Sequence, residues 1–177
     1  MYKKAVHPPE SAIRDARAED AIVLAAAERE IAKIPGRLAS RPHELKDEAF
    51  LASVVALARS ESGKYVVIES NGNIVGHALL DPLRLEVTAH VVVLTIAIHE
   101  GQQGKGFGKL LLSHLIDWAR SNARIEKVML HVRSSNDVAI GMYEKAGFSL
   151  DGVSARQIKL GPNSYLDNIA MSLWVGP

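Results

Sequence analysis

Cysteine is absent from the 177 residues of this chain. Its absence excludes disulfides, catalysis by a thiolate and metal sites built from cysteine. The seven histidines are scattered, and no two of them stand four residues apart as metal ligands on one helix do, so we expect no metal site. The net charge is only +1, so the overall electrostatic field does not favour nucleic acid as a partner.

Long apolar runs are missing too. The run "HVVVLTIAI" (90–98) is far too short to cross a bilayer, and no apolar stretch follows the first lysines as it would in a signal peptide. We therefore expect a cytoplasmic protein without a membrane partner. The length and the 47% apolar content suit one packed domain. We expect residues 1–10, with Pro8 and Pro9, to form a flexible tail and residues 11–177 to form a single domain.

Local patterns predict the secondary structure. "NG" at 71–72 lies between two β-rich runs and indicates a hairpin. "HVVVLTIAI" is apolar on both faces, which is typical of a central strand. The predicted strands are 12–20, 64–70, 73–81, 90–98, 126–132, 154–160 and 165–174, and the predicted helices are 19–33, 47–61, 107–120 and 136–148. The order β-α-α-β-β-β-α-β-α-β-β predicts a mixed α/β domain.

The stretch "HEGQQGKGFGKLLL" (99–112) places four glycines between that strand and an amphipathic helix. Unpaired amides and the helix dipole attract phosphate at a helix N-terminus, and glycines keep side chains out of the way. Lys105 and Lys109 add positive charge, so the loop predicts a pyrophosphate site. A P-loop is excluded because Leu110 follows Gly108-Lys109. The dinucleotide fingerprint is excluded because the glycines stand at one, three and five rather than one, three and six.

A third pattern fits the loop. Gln103, Gly106 and Gly108 form Gln-x-x-Gly-x-Gly, which resembles the acetyl-CoA loop of the GNAT superfamily of N-acetyltransferases. The stretch "LHVRSSNDVAIGMYEKAGF" (130–148) resembles the next strand and helix of that family. The resemblance implies one GNAT-like domain whose mixed, mostly antiparallel sheet has a splayed parallel strand pair and helices on its faces. It also implies acetyl-CoA as co-substrate and direct acetyl transfer to a primary amine, without a metal.

The resemblance also implies site residues. In that family the central strand supplies backbone groups to the pantetheine arm, often with a bulge, and the loop amides hold the pyrophosphate. The residues it places at acetyl-CoA are Ile96, Ala97, Ile98, Gln103, Gly104, Lys105, Gly106, Phe107, Gly108, Lys109, Asn136 and Tyr143. Tyr143 is expected to protonate the leaving thiolate. The alternatives are that Asn136 only caps its helix, Tyr143 only packs in the core, and both lysines are merely solvated.

Neither carboxylate that family members use as a general base is present. Val92 occupies the usual glutamate position on the central strand, and His131 stands where some relatives that modify protein N-termini carry glutamate. The candidates to accept the proton of the amine are His90, His131 and Glu86. We expect His90 to act through water, since it lies about 7 Å from Val92 along the strand; otherwise it is a half-buried histidine at a strand end.

The acceptor is expected to be an amine of a small molecule or peptide. The favoured acceptor is the α-amine of a small molecule such as an amino acid. The alternatives are a protein N-terminus, as in ribosomal-protein acetyltransferases, and no acceptor at all in a non-catalytic acyl-CoA sensor. Arg37, Arg41 and His43 either bind a substrate carboxylate or are surface charges. A homodimer is also compatible with the resemblance.

Overall fold

A computed structural model describes residues 10–177 of the chain. The strands are β1 (Ser11–Asp15), β2 (Lys64–Ser70), β3 (Asn73–Pro82), β4 (Val91–Ile98), β5 (Lys127–Arg133), β6 (Ser149–Gly161) and β7 (Ser164–Trp174). The α-helices are α1 (Ala21–Ala32), α2 (Asp47–Ala58), α3 (Phe107–Ser121) and α4 (Asp137–Lys145). Their order is the predicted one. Most of the predicted tail, residues 1–9, lies outside the described residues. Within residues 10–177, none of the helices has both the length and the apolar content needed to cross a membrane.

The seven strands form one sheet in the order β1-β2-β3-β4-β5-β7-β6. Only β4 and β5 run parallel, and the other neighbours are antiparallel. Two apolar cores cover the two faces: α3 and α4 pack on one, and α1 and α2 on the other. The predicted fold, a mostly antiparallel sheet with one parallel pair flanked by helices, is confirmed.

Two local signals work as predicted. Asn71 and Gly72 both have positive φ, as the tight turn of a two-residue hairpin requires. The predicted apolar stripe of α3 is buried: Phe107, Leu111 and Leu115 are at most 1% exposed. This stripe fixes α3 against the sheet, so the glycine loop that precedes α3 is held at the carboxyl end of β4.

The first strand is shorter than predicted. β1 ends at Asp15, and a 3₁₀ turn covers Ala18–Asp20. The reason is the carboxylate of Asp20, which is only 5% exposed and accepts hydrogen bonds from the Arg14 guanidinium at 2.7 and 3.0 Å and from the Arg17 amide at 2.8 Å. Burying this carboxylate turns the chain out of the sheet and starts α1 after it.

Candidate functional site

The parallel strands β4 and β5 separate along their length. They pair only from Val91 to Val93 on β4, and beyond that point β5 pairs with β7 alone. The Val91 carbonyl and the His99 amide both bond to the β3 side. Because backbone groups alternate along a strand, the amide and carbonyl groups of Ile96 and Ile98 point away from β3, into the gap between the strands.

The gap exists without a bulge. Pairing of β3 with β4 is continuous from Gly76↔Ile98 to Pro82↔Val92, so β4 lacks, against β3, the bulge that family members often have. Ala97 is opposite His77, and its backbone groups face β3. Of the three expected strand residues, the structure therefore leaves Ile96 and Ile98, but not Ala97, with backbone groups toward the gap.

The glycine loop follows β4 directly. Gly101, Gly104 and Gly106 have φ of 76°, 77° and 90°, a region that glycine enters without strain. Seven successive backbone amides, those of residues 103–109, bond to no acceptor among the described residues. No heavy atom lies within 4 Å of the point where a Cβ at Gly104 would stand. A run of free amides with open space in front of it at a helix N-terminus fits a pyrophosphate.

The side chains of the loop differ in their surroundings. The side-chain amide of Gln103 donates through Nε2 to the Ile98 carbonyl at 3.1 Å and to Glu100 Oε2 at 3.3 Å. Gln103 therefore holds the loop against the end of β4. The Phe107 ring is in the core and leaves only its amide for a ligand. Lys105 and Lys109 are exposed, and Lys105 Nζ donates to Gln102 Oε1 at 2.8 Å. Both lysines lie at the mouth of the loop.

Helix α4 approaches the start of α3. A Cβ at Gly108 would lie 3.6 Å from the Met142 sulfur and 3.7 Å from Ile98 Cγ1, so α3, α4 and the end of β4 converge there. Asn136 caps α4, since its Oδ1 accepts a hydrogen bond from the Ala139 amide at 3.2 Å. The predicted cap is therefore present, and the Asn136 side chain is exposed.

Tyr143 is 8% exposed and belongs to the same core as α3. Its ring lies 5.6 Å from that of Phe148. Its hydroxyl has no hydrogen-bond partner among the described residues, yet it is not one of the fully buried polar atoms that lack one, so it retains access to solvent. Burial raises the pKa of Tyr143 to about 12, and the phenol stays protonated at neutral pH.

The gap between β4 and β5 can also be approached from the face of the sheet that carries α1 and α2, opposite to α3 and α4. Val92 has no exposure and packs in the core with α3, so its side chain points away from this side. A residue at the usual base position was expected to face the amine, and Val92 does not face this side. By alternation, Val93 and Thr95 face it from β4, and Thr95 is exposed. On β5, Val128, Leu130 and Val132 pack in the α3 core, so His131 and Arg133 face the side of α1 and α2.

His90 lies elsewhere. It precedes β4, and its carbonyl accepts hydrogen bonds from the amides of Glu126 and Lys127 at 2.9 and 3.2 Å. This is the closed end of the strand pair. Thr95 is five residues further along, which corresponds to about 17 Å of extended strand. The structure therefore separates His90 from the gap, whereas the exposed His131 lies beside it.

The connection between α1 and α2 spans this side. Arg37 forms an ion pair with Glu100 at 3.7 Å, and Arg41 donates to the Lys159 carbonyl at 3.3 Å. Gly36 abuts Leu166 of β7. The connection thus reaches from the end of β4 to the β6–β7 hairpin, and the gap opens beneath it. Arg37 and Arg41 already have partners within the protein.

A buried network of hydrogen-bonded side chains, formed by Glu28, His77 and His99, was not predicted from the sequence. His77 has no exposure; its Nε2 lies 2.9 Å from Glu28 Oε1, and its Nδ1 lies 3.2 Å from His99 Nε2. His99 is 9% exposed. The network connects α1, β3 and the residue before the glycine loop. A histidine within the apolar run of β3 was the only signal of it in the sequence.

Metal-binding side chains do not converge in residues 10–177: no group of three or more histidine, aspartate or glutamate residues is placed to hold an ion there.

Comparisons with known proteins agree with this geometry. The chain is 34% identical over 107 residues to the N-alpha-acetyltransferase RimI of Mycobacterium tuberculosis, covering 60% of this chain and just 65% of that protein. It is 26% identical to the L-amino acid N-acetyltransferase AaaT of Escherichia coli, covering 62% of this chain and 67% of that protein.

Among solved structures, yncA of Salmonella typhimurium, determined with its cofactor acetyl-CoA, superimposes with a TM-score of 0.83 at 24% identity. That superposition covers 93% of this chain and 94% of the other, and at this identity it shows the fold. The family model described as "Acetyltransferase (GNAT) family" matches residues 23–148. This match covers the glycine loop, both strands of the gap and α4, and the chain belongs to the acetyltransferase (GNAT) family.

Proposed function

We propose that this protein is an acetyl-CoA-dependent N-acetyltransferase that transfers acetyl directly to the α-amine of a small molecule such as an amino acid. The observation that carries the proposal is the run of free amides at residues 103–109 beside the backbone amides of Ile96 and Ile98, which point away from β3 into the gap. When bound, acetyl-CoA supplies an acetyl group activated as a thioester. The amides of Gly104 to Lys109 hold its pyrophosphate, Lys105 and Lys109 add charge, and Asn136 lies at the start of α4 to contact the arm.

Gap-facing backbone groups have a second role in this proposal. The amides of Ile96 and Ile98 are fixed by the β3–β4 ladder, so they do not reorganise during the reaction. Fixed donors stabilise the oxygen charge that develops when an amine attacks a carbonyl. Ile96 and Ile98 would supply these donors, while the backbone of Ala97 remains bound to β3.

In this proposal Tyr143 stabilises the leaving thiolate. Its pKa of about 12 exceeds that of an ordinary thiol, about 8.5. Full proton transfer from the phenol to a thiolate is therefore uphill, and Tyr143 acts by donating a hydrogen bond that stabilises the thiolate. The proton that finally resides on the thiol comes from the amine.

We assign acceptance of the amine proton to His131, directly or through water. His131 faces the gap from β5, whereas His90 lies at the closed end of the strand pair. Glu86 sits in an exposed 3₁₀ turn before β4. A histidine is a weak base, so the enzyme favours amines that are already partly neutral. An α-amine has a reference pKa near 7.7–8.0, against about 10.4 for a lysine side chain.

The second candidate function is acetylation of a protein N-terminus. The observation that favours it is the likeness to RimI. A peptide N-terminus is also an α-amine, so the proton argument suits both candidates. The difference between them is the group next to the amine: a free carboxylate in an amino acid and an amide in a peptide.

The test measures thiol release from acetyl-CoA, with mass spectrometry of the products, for amino acids, N-terminal peptides and simple alkylamines. We expect acetylated amino acids and little reaction with alkylamines. Hydrolysis of acetyl-CoA without any acetylated amine, or no thiol release with any amine, would contradict the proposal. Acetylated peptides without acetylated amino acids would favour the second candidate.

The proton acceptor is tested by pH–rate profiles of wild type, His131→Gln and His90→Gln. In wild type and in His90→Gln, we expect kcat/KM to rise with pH through a limb that reports loss of a proton from the accepting histidine. His131→Gln should lack this limb and be slower by roughly 10²-fold or more. If the limb disappears in His90→Gln instead, His90 is the acceptor, as the sequence suggested.

A further inference from the structure

Arg133, at the carboxyl end of β5, has no negatively charged partner among residues 10–177. Among the lysines and arginines of residues 10–177, it is the one side chain that is not exposed and forms no ion pair with an acidic residue. The other half-buried basic side chains, those of Arg14, Arg29, Lys64 and Lys127, all pair with carboxylates. A desolvated guanidinium without a counter-charge costs free energy, so this one needs an explanation.

The atoms of the Arg133 guanidinium are unequally occupied. Nη1 donates to Asn168 Oδ1 at 3.1 Å, which fixes the side chain against β7. Nε is buried and has no hydrogen-bond partner. Nη2 has no partner among the described residues and is not one of the buried atoms, so it is open to solvent. The guanidinium is thus held on one edge and free on the other, and burial lowers its pKa without changing its charge at neutral pH.

The position of Arg133 relates it to the proposed reaction. It lies two residues after His131 on the same face of β5, about 7 Å along the strand. Both side chains face the side of the gap that the α1–α2 connection spans. The two arginines of that connection have other partners: Arg37 pairs with Glu100, and Arg41 donates to the Lys159 carbonyl. Within residues 10–177, Arg133 is therefore the half-buried cation without a carboxylate partner that lies beside the proposed proton acceptor.

We propose that Arg133 binds the carboxylate of the acceptor and so makes free α-amino acids the substrate class. This inference rests on the proposed function. In an α-amino acid the carboxylate is one carbon from the amine, so an amine beside His131 places the carboxylate toward Arg133. Carboxylate is the anion that the planar fork of a guanidinium matches best. A peptide N-terminus or an amino acid amide has a neutral carbonyl there and leaves the Arg133 charge unpaired.

The experiment compares kcat/KM for the common amino acids with kcat/KM for the corresponding amino acid amides, in wild type and in Arg133→Gln, Arg133→Lys and Arg156→Gln. Arg156 is exposed and is the matched control. A hydrogen bond between charged groups contributes about 1.5–3 kcal/mol, so wild type should prefer the acid over its amide by roughly 10–100-fold. Arg133→Gln should lose this preference, mainly through a higher KM for the acid.

The amide substrate is the internal control for folding, since Arg133→Gln should acetylate it as wild type does. Arg133→Lys should recover part of the preference, because it restores charge without the fork, and Arg156→Gln should keep all of it. A wild type that acetylates amides as well as acids, or an Arg133→Gln variant that keeps the preference, would overturn the inference and leave the proposed function intact. Failure of every amine to react would overturn both.

Discussion

The buried imidazole of His99 makes the stability of the protein depend on pH. Burial, reinforced by repulsion from His77, lowers the pKa of His99 to about 4, against about 6.5 in an unfolded chain. The folded state therefore resists a proton that the unfolded state accepts. The stabilisation is complete above pH 6.5 and is lost as the pH falls from 6.5 toward 4. A difference of this size corresponds to roughly 2–3 kcal/mol of unfolding free energy lost between pH 7 and pH 4.5.

The assay is urea unfolding followed by tryptophan fluorescence at pH 7 and pH 4.5. His99→Gln has no titrating group at this position, so its free energy of unfolding should fall by roughly 2–3 kcal/mol less than that of wild type over this range. His114→Gln is the control, because His114 is an exposed side chain on α3 and its loss should leave the wild-type pH dependence unchanged. The same fall in wild type and in His99→Gln would refute the argument from burial.

Four further outcomes are expected. Gly106→Val should remove the rise in melting temperature that acetyl-CoA gives the wild type, because φ of 90° and the free amides suit glycine alone; an unchanged shift would contradict this. Tyr143→Phe should lower kcat by roughly 10²-fold, the effect of losing one hydrogen-bond donor to the developing charge, with little change in acetyl-CoA affinity by calorimetry; an unchanged kcat would return Tyr143 to a packing role. Asp20→Asn should cost about 2–3 kcal/mol in urea unfolding at pH 7, since it weakens the paired hydrogen bonds from Arg14, and a loss below 0.5 kcal/mol would make the pair unimportant. Leu115→Ala, at a position without exposure, should cost about 2–5 kcal/mol in the same assay, and a smaller loss would mean that the α3 core repacks.

Local order was determined by the sequence itself. The Asn71-Gly72 turn, the stripe of α3 and the glycine spacing from Gly104 to Gly108 depend on neighbours a few residues away, so their physical causes can be read directly from the chain. The order of the elements followed from these signals, and the combination of the loop with the "NDVAIGMYEKAGF" helix was enough to indicate the family.

The tertiary structure decided which groups face which side. Whether Ile96, Ile98 or Ala97 offers its backbone depends on the register of β4 with β3 and on the point where β5 departs. The burial of Val92 under α3 depends on the same parity. Alternation along a strand is visible in the sequence, but its absolute phase is set by contacts with distant elements, and a shift of one residue reverses every assignment.

Long-range polar contacts could not be predicted for a related reason. Asp20 ends β1 because Arg14 and the Arg17 amide meet it, and the Glu28–His77–His99 chain joins residues that are far apart in sequence. The guanidinium of Arg133 has no carboxylate partner in residues 10–177, because no acidic side chain there lies close enough to pair with it. A hydrogen bond or its absence depends on where two side chains lie in space, and only the packed sheet and its helices determine that.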